Sequence, residues 1–169
     1  MIAAGRFWET APLEALTAGQ WEALCDGCAR CCLHKLEDQD TRTVYYTDVA
    51  CPLLDVAACR CTDYHRRYER MPACVRLTCE TVRETSWLPA SCAYRLRALG
   101  KPLPRWHHLV SGSMDGVHRS GASVRGKAVL LENPDENTLM GRIVEMVPTR
   151  TGLRLFLPAR SRPTEGDIP

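Results

Sequence analysis

Four closely spaced cysteines stand near the start of the chain, in the run C-x-x-C-x-x-C-C formed by Cys25, Cys28, Cys31 and Cys32. Six more follow before residue 93, so all ten thiols of the 169-residue chain fall within less than half of it. Thiols that merely fill a core have no reason to recur at every third position. Such spacing lets sulfurs converge on one point, which serves either disulfide pairing or metal ligation.

The overlap of the first three cysteines bears on the kind of metal centre. A C-x-x-C pair places two thiolates on one zinc ion, and two separate pairs complete a tetrahedral site. Here two such pairs share Cys28, which suits an iron–sulfur cube whose irons each take one sulfur. Bacterial ferredoxins add a cysteine before a proline, and Cys51 precedes Pro52, although much further along the chain. The spacing favours iron–sulfur and leaves zinc open.

The adjacent pair Cys31 and Cys32 indicates more than one site. Neighbouring side chains of an extended backbone point to opposite sides, so these two sulfurs are not expected to bind the same atom. Cys32 is therefore predicted to face a second site, or to remain a structural or reactive thiol. The later cysteines offer a second set of four, namely Cys59, Cys61, Cys74 and Cys92. We expect two sites on this basis.

Composition and charge restrict the class of protein. The chain is 45% hydrophobic, as in a globular domain, but only 7% aromatic, so a bound metal would offset a shortage of large core side chains. A structural metal supplies roughly 10–16 kcal/mol of binding free energy that also stabilises the fold. The net charge of +2 gives no sign of a nucleic-acid partner.

The N-terminal sequence predicts a cytoplasmic protein. Its first apolar residues are interrupted by Arg6 and then by Glu9 and Glu14, unlike a secretory signal. No apolar run approaches the roughly 20 residues that span a bilayer. In the cytosol, clustered cysteines bind metal or react more often than they pair. Metal ligation is therefore favoured, and an exported protein held together by disulfides is the alternative.

Local signals predict helices that hold the cysteine segments. Thr17 and Gln20 resemble a capping box for a helix that delivers the chain to Cys25. Ser91 is predicted to cap a second helix over Cys92–Leu99, which would turn its first cysteine to the interior.

Two β-rich stretches complete the predicted architecture. Thr43–Val49 predicts a short strand, while Gly141–Pro158 predicts a hairpin that turns at Thr149–Gly152. The expected fold class is α+β: a small, irregular, cysteine-rich and metal-stabilised domain with short helices and a C-terminal β-hairpin. We assign residues 1–128 to this metal-binding domain, and residues 129–169 to a C-terminal extension with the hairpin and a frayed tail.

An ordered series of motifs resembles a known family. The motifs are CDGCARCCLHKLED, VACPLLD, CRCTDY, MPACVRL, WLPASCAYRL, WHHLVSG and SVRG. Together they resemble the bacterial CxxCxxCC cysteine-cluster family, a zinc- or iron-chelating domain, over residues 7–128. The resemblance implies metal chelation and does not specify the metal. The segment after Lys127 departs from the family pattern, so nothing is carried over to it.

The resemblance also ranks the cysteines as ligands. Broader relatives, including a region of flagellin lysine methylases, share a smaller set, which on this sequence is Cys25, Cys28, Cys31, Cys32, Cys51, Cys61 and Cys74. Cys59 and Cys92 match the closer family and rank second. Cys79 falls where the family is not expected to have a cysteine, and is predicted to be an ordinary structural thiol.

Histidines and cations near the cysteines are weaker candidates. His34 lies two residues after Cys32 and would complete a site of three cysteines and one histidine. His107 and His118 lie in motif-bearing segments, as ligands or proton shuttles, although a hydrogen-bonded or surface role is the simpler expectation for each histidine. Basic side chains such as Lys35 would favour thiolates, but an ordinary solvated charge is expected for any one of them.

The predicted function is metal binding, with an iron–sulfur cluster favoured over zinc. A cluster would carry single electrons, whereas zinc would organise the fold. Two alternatives come from other classes: a metal-dependent protein-modifying enzyme, suggested by the likeness to methylase regions, and a thiol redox or metal-handling adaptor. Whether the protein is an enzyme stays open. The expected partners are the metal ion or cluster and, in the alternatives, a second protein; nucleic acid and membrane are not expected.

Overall fold

Short helices and strands make up the fold in the computed structural model, which describes residues 5–147. Within these residues the helices are α1 (Phe7–Thr10), α2 (Ala18–Ala23), α3 (Arg67–Arg70), α4 (Cys79–Glu84), α5 (Ala93–Ala98), α6 (His108–Ser111), α7 (Gly116–Arg119) and α8 (Glu136–Met140). The strands are β1 (Leu33–Glu37), β2 (Val44–Ala50), β3 (Leu54–Asp55), β4 (Arg60–Cys61) and β5 (Ile143–Val147), and 3₁₀ turns lie at Leu13–Ala15 and Arg30–Cys32. The class is α+β, as predicted. No helix in this part of the chain is long and apolar enough to cross a membrane.

The central strand of the main sheet is β2. It pairs antiparallel with β1 on one side and with β5 on the other, while β3 and β4 form a separate two-stranded ribbon. The strand predicted at Thr43–Val49 is thus found one residue further along. The first run of the predicted C-terminal hairpin is β5, which pairs with β2, and the second run lies outside the described residues.

The segment after residue 128 packs on the cysteine-bearing region. The backbone N–H of Ala50 donates to the carbonyl of Val129 (2.8 Å), and the N–H of Val129 donates to the carbonyl of Asp48 (2.9 Å). Farther on, two guanidinium nitrogens of Arg142 each lie 2.6 Å from a carboxylate oxygen of Asp48. These contacts attach residues 129–147 to β2, and the division of the chain at residue 128 stays a prediction.

A register shift in the β1–β2 pair sets which side chains meet beside the cysteines. Leu33 lies opposite Ala50, but Lys35 lies opposite Tyr46, so β2 carries extra residues between these two pairs. Bulges of this kind bend a strand and redirect its side chains. The result is that Lys35 is set against Tyr46.

A buried threonine occupies the bulge. The hydroxyl of Thr47 donates to the carbonyl of His34 (2.9 Å) and accepts from the N–H of Val49 (3.2 Å). Both of these backbone groups lie where the strand ladder is interrupted, and an unpaired buried backbone group costs about as much as a lost hydrogen bond. Thr47 therefore stabilises the altered register.

The core joins β2 to the segments that flank the cysteines. Tyr46, Leu24 and Leu88 are among the largest side chains that are fully buried. The hydroxyl of Tyr46 donates to the backbone carbonyl of Trp87, which pairs its polar end. Burying a large apolar side chain stabilises a fold by about 1.5–3 kcal/mol. The strand β2 is therefore the support on which the cysteine-bearing loops pack.

Two helices begin close to where local signals predict. The capping box of α2 is present, with hydrogen bonds of 3.0 and 3.2 Å between Thr17 and Gln20. The helix predicted over Cys92–Leu99 is α5, but its N-cap residue is Cys92 instead of Ser91. Because an N-cap residue has extended backbone angles, Cys92 lies before the first helical residue and not within the helix.

His107 is fully buried and fastens the end of α2. Its Nε2 lies 3.1 Å from the carbonyl oxygen of Leu24, and its Nδ1 accepts from the N–H of Leu109 (3.2 Å). Since Nδ1 accepts, the one proton of the neutral ring is on Nε2, which donates to Leu24. Both ring nitrogens form hydrogen bonds, so His107 holds Leu24, the residue before Cys25, in place. This is the hydrogen-bonded role that was the simpler expectation for His107.

Replacing His107 by alanine should destabilise the protein. We expect the free energy of unfolding to fall by about 2–4 kcal/mol, because the change opens a cavity and leaves the Leu24 carbonyl unpaired. Urea denaturation measures the difference. His65→Ala, at an exposed position, is the control and should stay within about 0.5 kcal/mol of wild type. Unchanged stability of H107A would show that the ring does not fasten α2.

The same histidine should make stability depend on pH. Burial is the main cause that lowers the pKa of His107 in the folded state, whereas the unfolded chain keeps a value of about 6.5. The unfolded state then binds the proton first, so the free energy of unfolding should fall as the pH drops below about 6.5.

The variant His107→Gln keeps a donor for Leu24 and removes the titration. Between about pH 7.5 and about pH 5.5 it should lose less stability than wild type, as measured by urea denaturation at both values. His65→Gln should show the full wild-type decrease. If H107Q shows that decrease too, the pH dependence belongs to other groups.

Candidate metal centre

The loop over residues 25–32 is bent by two residues with left-handed backbone angles. Gly27 has φ +73° and Ala29 has φ +58°, and the 3₁₀ turn follows directly. A residue other than glycine costs roughly 1–3 kcal/mol in such a conformation, so the surroundings must impose it. One such restraint is the N–H of Val124, which donates to the carbonyl of Cys28 (3.0 Å).

Four thiols make up what we call the first thiol group: Cys25, Cys28, Cys31 and Cys92. Burial is the main cause that raises the pKa of Cys25 and of Cys92 to about 12, and it raises the pKa of Cys28 well above its ordinary value. The charge on Cys31 adds to all three increases, so Cys31 is their common neighbour. Although Cys25 and Cys31 are exposed along part of their surface, desolvation acts on both sulfurs.

A second thiol group consists of Cys32, Cys51, Cys61 and Cys74. Burial raises the pKa of Cys51 and of Cys74, and the charge on Cys61 adds to both increases. The charge on Cys51 acts in turn on Cys32. The backbone supports this grouping, because the N–H of Cys51 donates to the carbonyl of Cys32 (2.8 Å) and Cys61 pairs with Leu54 across the β3–β4 ribbon.

Cys31 and Cys32 join the two groups. A hydrogen bond between their side chains is the main cause that lowers the pKa of Cys31 and raises that of Cys32. Burial opposes the decrease at Cys31, and the charge of Lys35 adds to it. The charge on Cys31 also acts on Cys51 and Cys74 of the second group. Two adjacent sites divided between Cys31 and Cys32 would have this arrangement.

The grouping differs from the sets inferred from spacing at three positions, Cys51, Cys59 and Cys92. Cys92 neighbours the first run of cysteines, and Cys51 is linked to Cys32 instead of completing a ferredoxin-like set. For Cys92 the cause is tertiary packing: the hydroxyl of Tyr94 donates to the carbonyl of Trp21 (3.0 Å), which attaches the start of α5 to α2. Spacing along the chain carries no signal for that contact.

Cys59 and Cys79 are not brought into either group. The thiol of Cys59 is buried 3.7 Å from the carbonyl oxygen of Val56; burial raises its pKa, and Arg125 is the charge that acts on it most. Cys79 begins α4, where burial and the charge of Glu14 raise its pKa. No thiol is among the groups that shift the pKa of Cys59 most, so its role as a ligand stays a prediction. Cys79 has the surroundings expected of a structural thiol.

Asp26 is a buried carboxylate that sequence reasoning did not select. It is 6% exposed, and its Oδ1 accepts from the N–H of Cys28 (2.9 Å). Within the described part of the chain, its Oδ2 has no hydrogen-bond partner. Its charge adds to the raised pKa of Cys25, Cys28 and Cys92. An unpaired buried carboxylate oxygen is costly, and a cation at the first thiol group would offset that cost.

Lys35 also departs from expectation, because its charge is not an ordinary solvated one. Its Nζ donates to the carbonyls of Cys31 (2.9 Å) and Leu33 (2.6 Å). Burial lowers its pKa to about 8, against the charges of Cys31 and other thiols, which raise it. The group is still protonated at neutral pH. The register of β1 on β2 sets Lys35 opposite Tyr46, and the sequence pattern does not reveal this register.

Among the described residues, neither of the two other candidate histidines is fixed as a ligand. His34 lines a cavity of about 130 Å³ together with Cys32, Cys51 and Cys74, and its Nδ1 is buried without a partner among the described residues. Burial lowers the pKa of His34, which favours the neutral ring. The Nδ1 of His118, in α7, lies 2.8 Å from the hydroxyl of Ser123, which is the hydrogen-bonded role expected for it.

The donor atoms fit a metal that prefers sulfur. All ten cysteines are free thiols, and within residues 5–147 no group of three or more Cys, His, Asp or Glu side chains lies together so that it could hold a metal ion. Charge interactions nevertheless relate eight thiols in two neighbouring groups, with a buried carboxylate oxygen beside the first. Thiolate ligands select zinc, copper(I) and iron–sulfur clusters, whereas magnesium and calcium require oxygen. The chemistry of the donors therefore matches zinc or iron.

Comparison with known proteins gives a consistent result. The family profile CxxCxxCC, described as a "Putative zinc- or iron-chelating domain", matches residues 24–93, which contain every cysteine. A UPF0260 protein of Parvibaculum lavamentivorans is 52% identical over 138 residues, which cover 82% of this chain and 90% of the relative. UPF0260 proteins of Rhodopseudomonas palustris strain TIE-1 and Gluconobacter oxydans are 58% and 55% identical over 73% of this chain, and over 72% and 76% of their own lengths. No solved structure matches the chain.

These matches extend well beyond the cysteine motifs, and the profile range spans both thiol groups. The resemblance inferred from the ordered motifs is confirmed. The chain belongs to the CxxCxxCC family of UPF0260 proteins.

Proposed function

We propose that this protein binds iron, as an iron–sulfur cluster, or zinc, through the two thiol groups. The proposal is supported by the charge interactions that relate eight thiols from separate chain segments, in two neighbouring sets of four around Cys31 and Cys32. Four sulfurs are the usual complement of a structural zinc site and of an iron–sulfur cluster. The family description, which names zinc or iron, supports the same conclusion.

We favour an iron–sulfur cluster over a zinc ion. The overlapping C-x-x-C pairs crowd three sulfurs of one loop toward the first group, which suits a multi-iron cluster better than one ion. A bound cluster would supply single-electron transfer, whereas zinc would supply only structural stabilisation. The protein's own contribution is to bury most of the sulfurs at least in part, which limits the access of water. Since the cysteines are free thiols, we propose a reducing, cytoplasmic location.

A metal-dependent enzyme is the second candidate function, and one feature favours it. The cavity of about 130 Å³ reaches Cys31 as well as Cys32, Cys51 and Cys74 of the second group, and apolar residues including Trp87 line most of it. A small molecule or an apolar side chain of another protein would fit beside a metal held there. An open coordination position facing this cavity would distinguish an enzyme from an electron carrier.

Replacing Cys28 tests the ligand assignment. Protein purified without oxygen should contain iron and acid-labile sulfide, or zinc, and Cys28→Ser should lose at least about half of that metal because one full site loses a ligand. The unfolding midpoint should fall as well, since bound metal stabilises the folded state. Metal and sulfide analysis per chain gives the readout.

Cys79→Ser is the matched control for this experiment. It removes one thiol that lies outside both groups, so its metal content should equal that of wild type. If wild type contains neither metal, the proposed function is wrong. If C28S keeps the full content, the assignment of Cys28 to a site is wrong, and if C79S loses metal, the grouping is wrong.

Metal binding should release protons. Most of the thiols in the two groups have raised pKa values for which burial is a principal cause, so they are protonated at neutral pH and must lose their protons to bind. Adding Zn²⁺ to reduced, metal-free protein near pH 7 should release about three protons per ion. A pH indicator in weak buffer measures the release. Fewer than about one proton per ion would point to carboxylate or imidazole ligands instead.

A further inference from the structure

The ammonium of Lys35 is held at a fixed position beside both thiol groups. Its Nζ donates to the carbonyl oxygens of Cys31 and Leu33, at 2.9 and 2.6 Å. The same nitrogen lies 4.5 Å from the ring centre of Trp87 and 5.0 Å from that of Tyr46. A cation over two aromatic faces is attracted by both rings, more strongly when water is excluded. Lys35 is thus enclosed by two carbonyls and two rings.

The surroundings of Lys35 are themselves fixed. The register shift in the β1–β2 pair places Lys35 opposite Tyr46, and the hydroxyl of Tyr46 donates to the carbonyl of Trp87, so the two rings are tied together. A lysine usually extends its charge to solvent along its flexible chain. Here the backbone carbonyls and rings hold the half-buried ammonium next to Cys31.

No carboxylate within the described residues forms an ion pair with Lys35. Arg30 offers the contrast, because its guanidinium lies over the same Tyr46 ring at 5.5 Å but pairs with Glu145 of β5. A half-buried cation without an anion is unfavourable in free energy. Lys35 interacts with cysteine sulfurs that become anions when a metal binds, among them Cys31, Cys32 and Cys51. These thiols come from both groups.

We propose that Lys35 is the built-in counter-ion of the metal centre, a positioning residue that stabilises the thiolates without binding the metal. The proposal rests on the proposed function. A divalent ion with four thiolates carries a net charge of about −2, which is unfavourable in a buried site. A fixed positive charge beside Cys31 reduces that excess for both groups, and the anionic centre supplies the partner that Lys35 lacks.

The test is metal affinity in variants of Lys35. Lys35→Met keeps most of the side chain's length and removes its charge, and should weaken Zn²⁺ binding by about 10- to 100-fold, the range found for residues that support ligands indirectly. Lys35→Arg restores a positive charge and should bind more tightly than K35M. Competition with a chromophoric zinc chelator, on reduced metal-free protein, measures each affinity.

Lys101→Met is the matched control, because Lys101 is exposed and its loss changes the net charge equally. K101M should bind as wild type does. Circular dichroism and urea denaturation of each metal-free variant separate folding from affinity, since a purely structural lysine would alter stability without altering affinity. If K35M does not fold without metal, Lys35→Gln takes its place with the same expectation.

The outcomes separate this inference from the proposed function. If wild type does not bind Zn²⁺, the proposed function fails. If wild type binds and K35M matches K101M in affinity, Lys35 is not the counter-ion although the metal site stands. Equal weakening in K35M and K35R would assign the effect to packing and also overturn the inference.

Discussion

The constraint on which this structure depends is the partial burial of thiols that are stable only when protonated or bound to metal. Burial raises the pKa of Cys25, Cys28 and Cys92 in the first group and of Cys51 and Cys74 in the second. Without a cation these sulfurs remain neutral thiols, because several thiolates buried together would repel one another. With a cation, they exchange protons for a metal. Because burial disfavours the thiolates, these thiols lose their protons only when a metal binds.

The fold serves this constraint by packing cysteine loops on one strand. Strand β2 provides the buried Tyr46 and the bulge of Thr47, and the loop before its partner strand β1 carries the C-x-x-C-x-x-C-C run. The surrounding elements are short: apart from β2, no helix or strand within residues 5–147 exceeds six residues. Such elements have little stability by themselves, and nucleating a helix of this length is unfavourable. Ligands that join distant loops through a metal would supply what the helices lack.

Features set by neighbouring residues in the chain could be predicted from the sequence, whereas features set by contacts between distant segments could not. The helix cap at Thr17, the strand at Thr43–Val49 and the family motifs are local patterns, and each was predicted closely. The assignment of Cys51 and Cys92 to particular groups depends on contacts between distant segments, and spacing alone did not provide it. Asp26 was missed because a single acidic residue in an Asp-Gly turn normally indicates only a turn. Its burial and unpaired oxygen are visible only once Cys28 is positioned.

Arg30 and Lys35 illustrate why the charged residues of the site were the hardest to predict. They are five residues apart, both basic, and both approach the ring of Tyr46. Strand β5 provides Glu145 for Arg30, so that charge is neutralised at the edge of the sheet. The bulge in β2 sets Lys35 against Tyr46 on the side of the thiols. A one-residue change in that register would turn Lys35 to the opposite face, since side chains alternate along a strand. Which of two similar cations faces the sulfurs is therefore decided by strand pairing, a property of the whole sheet that no motif around Cys31 contains.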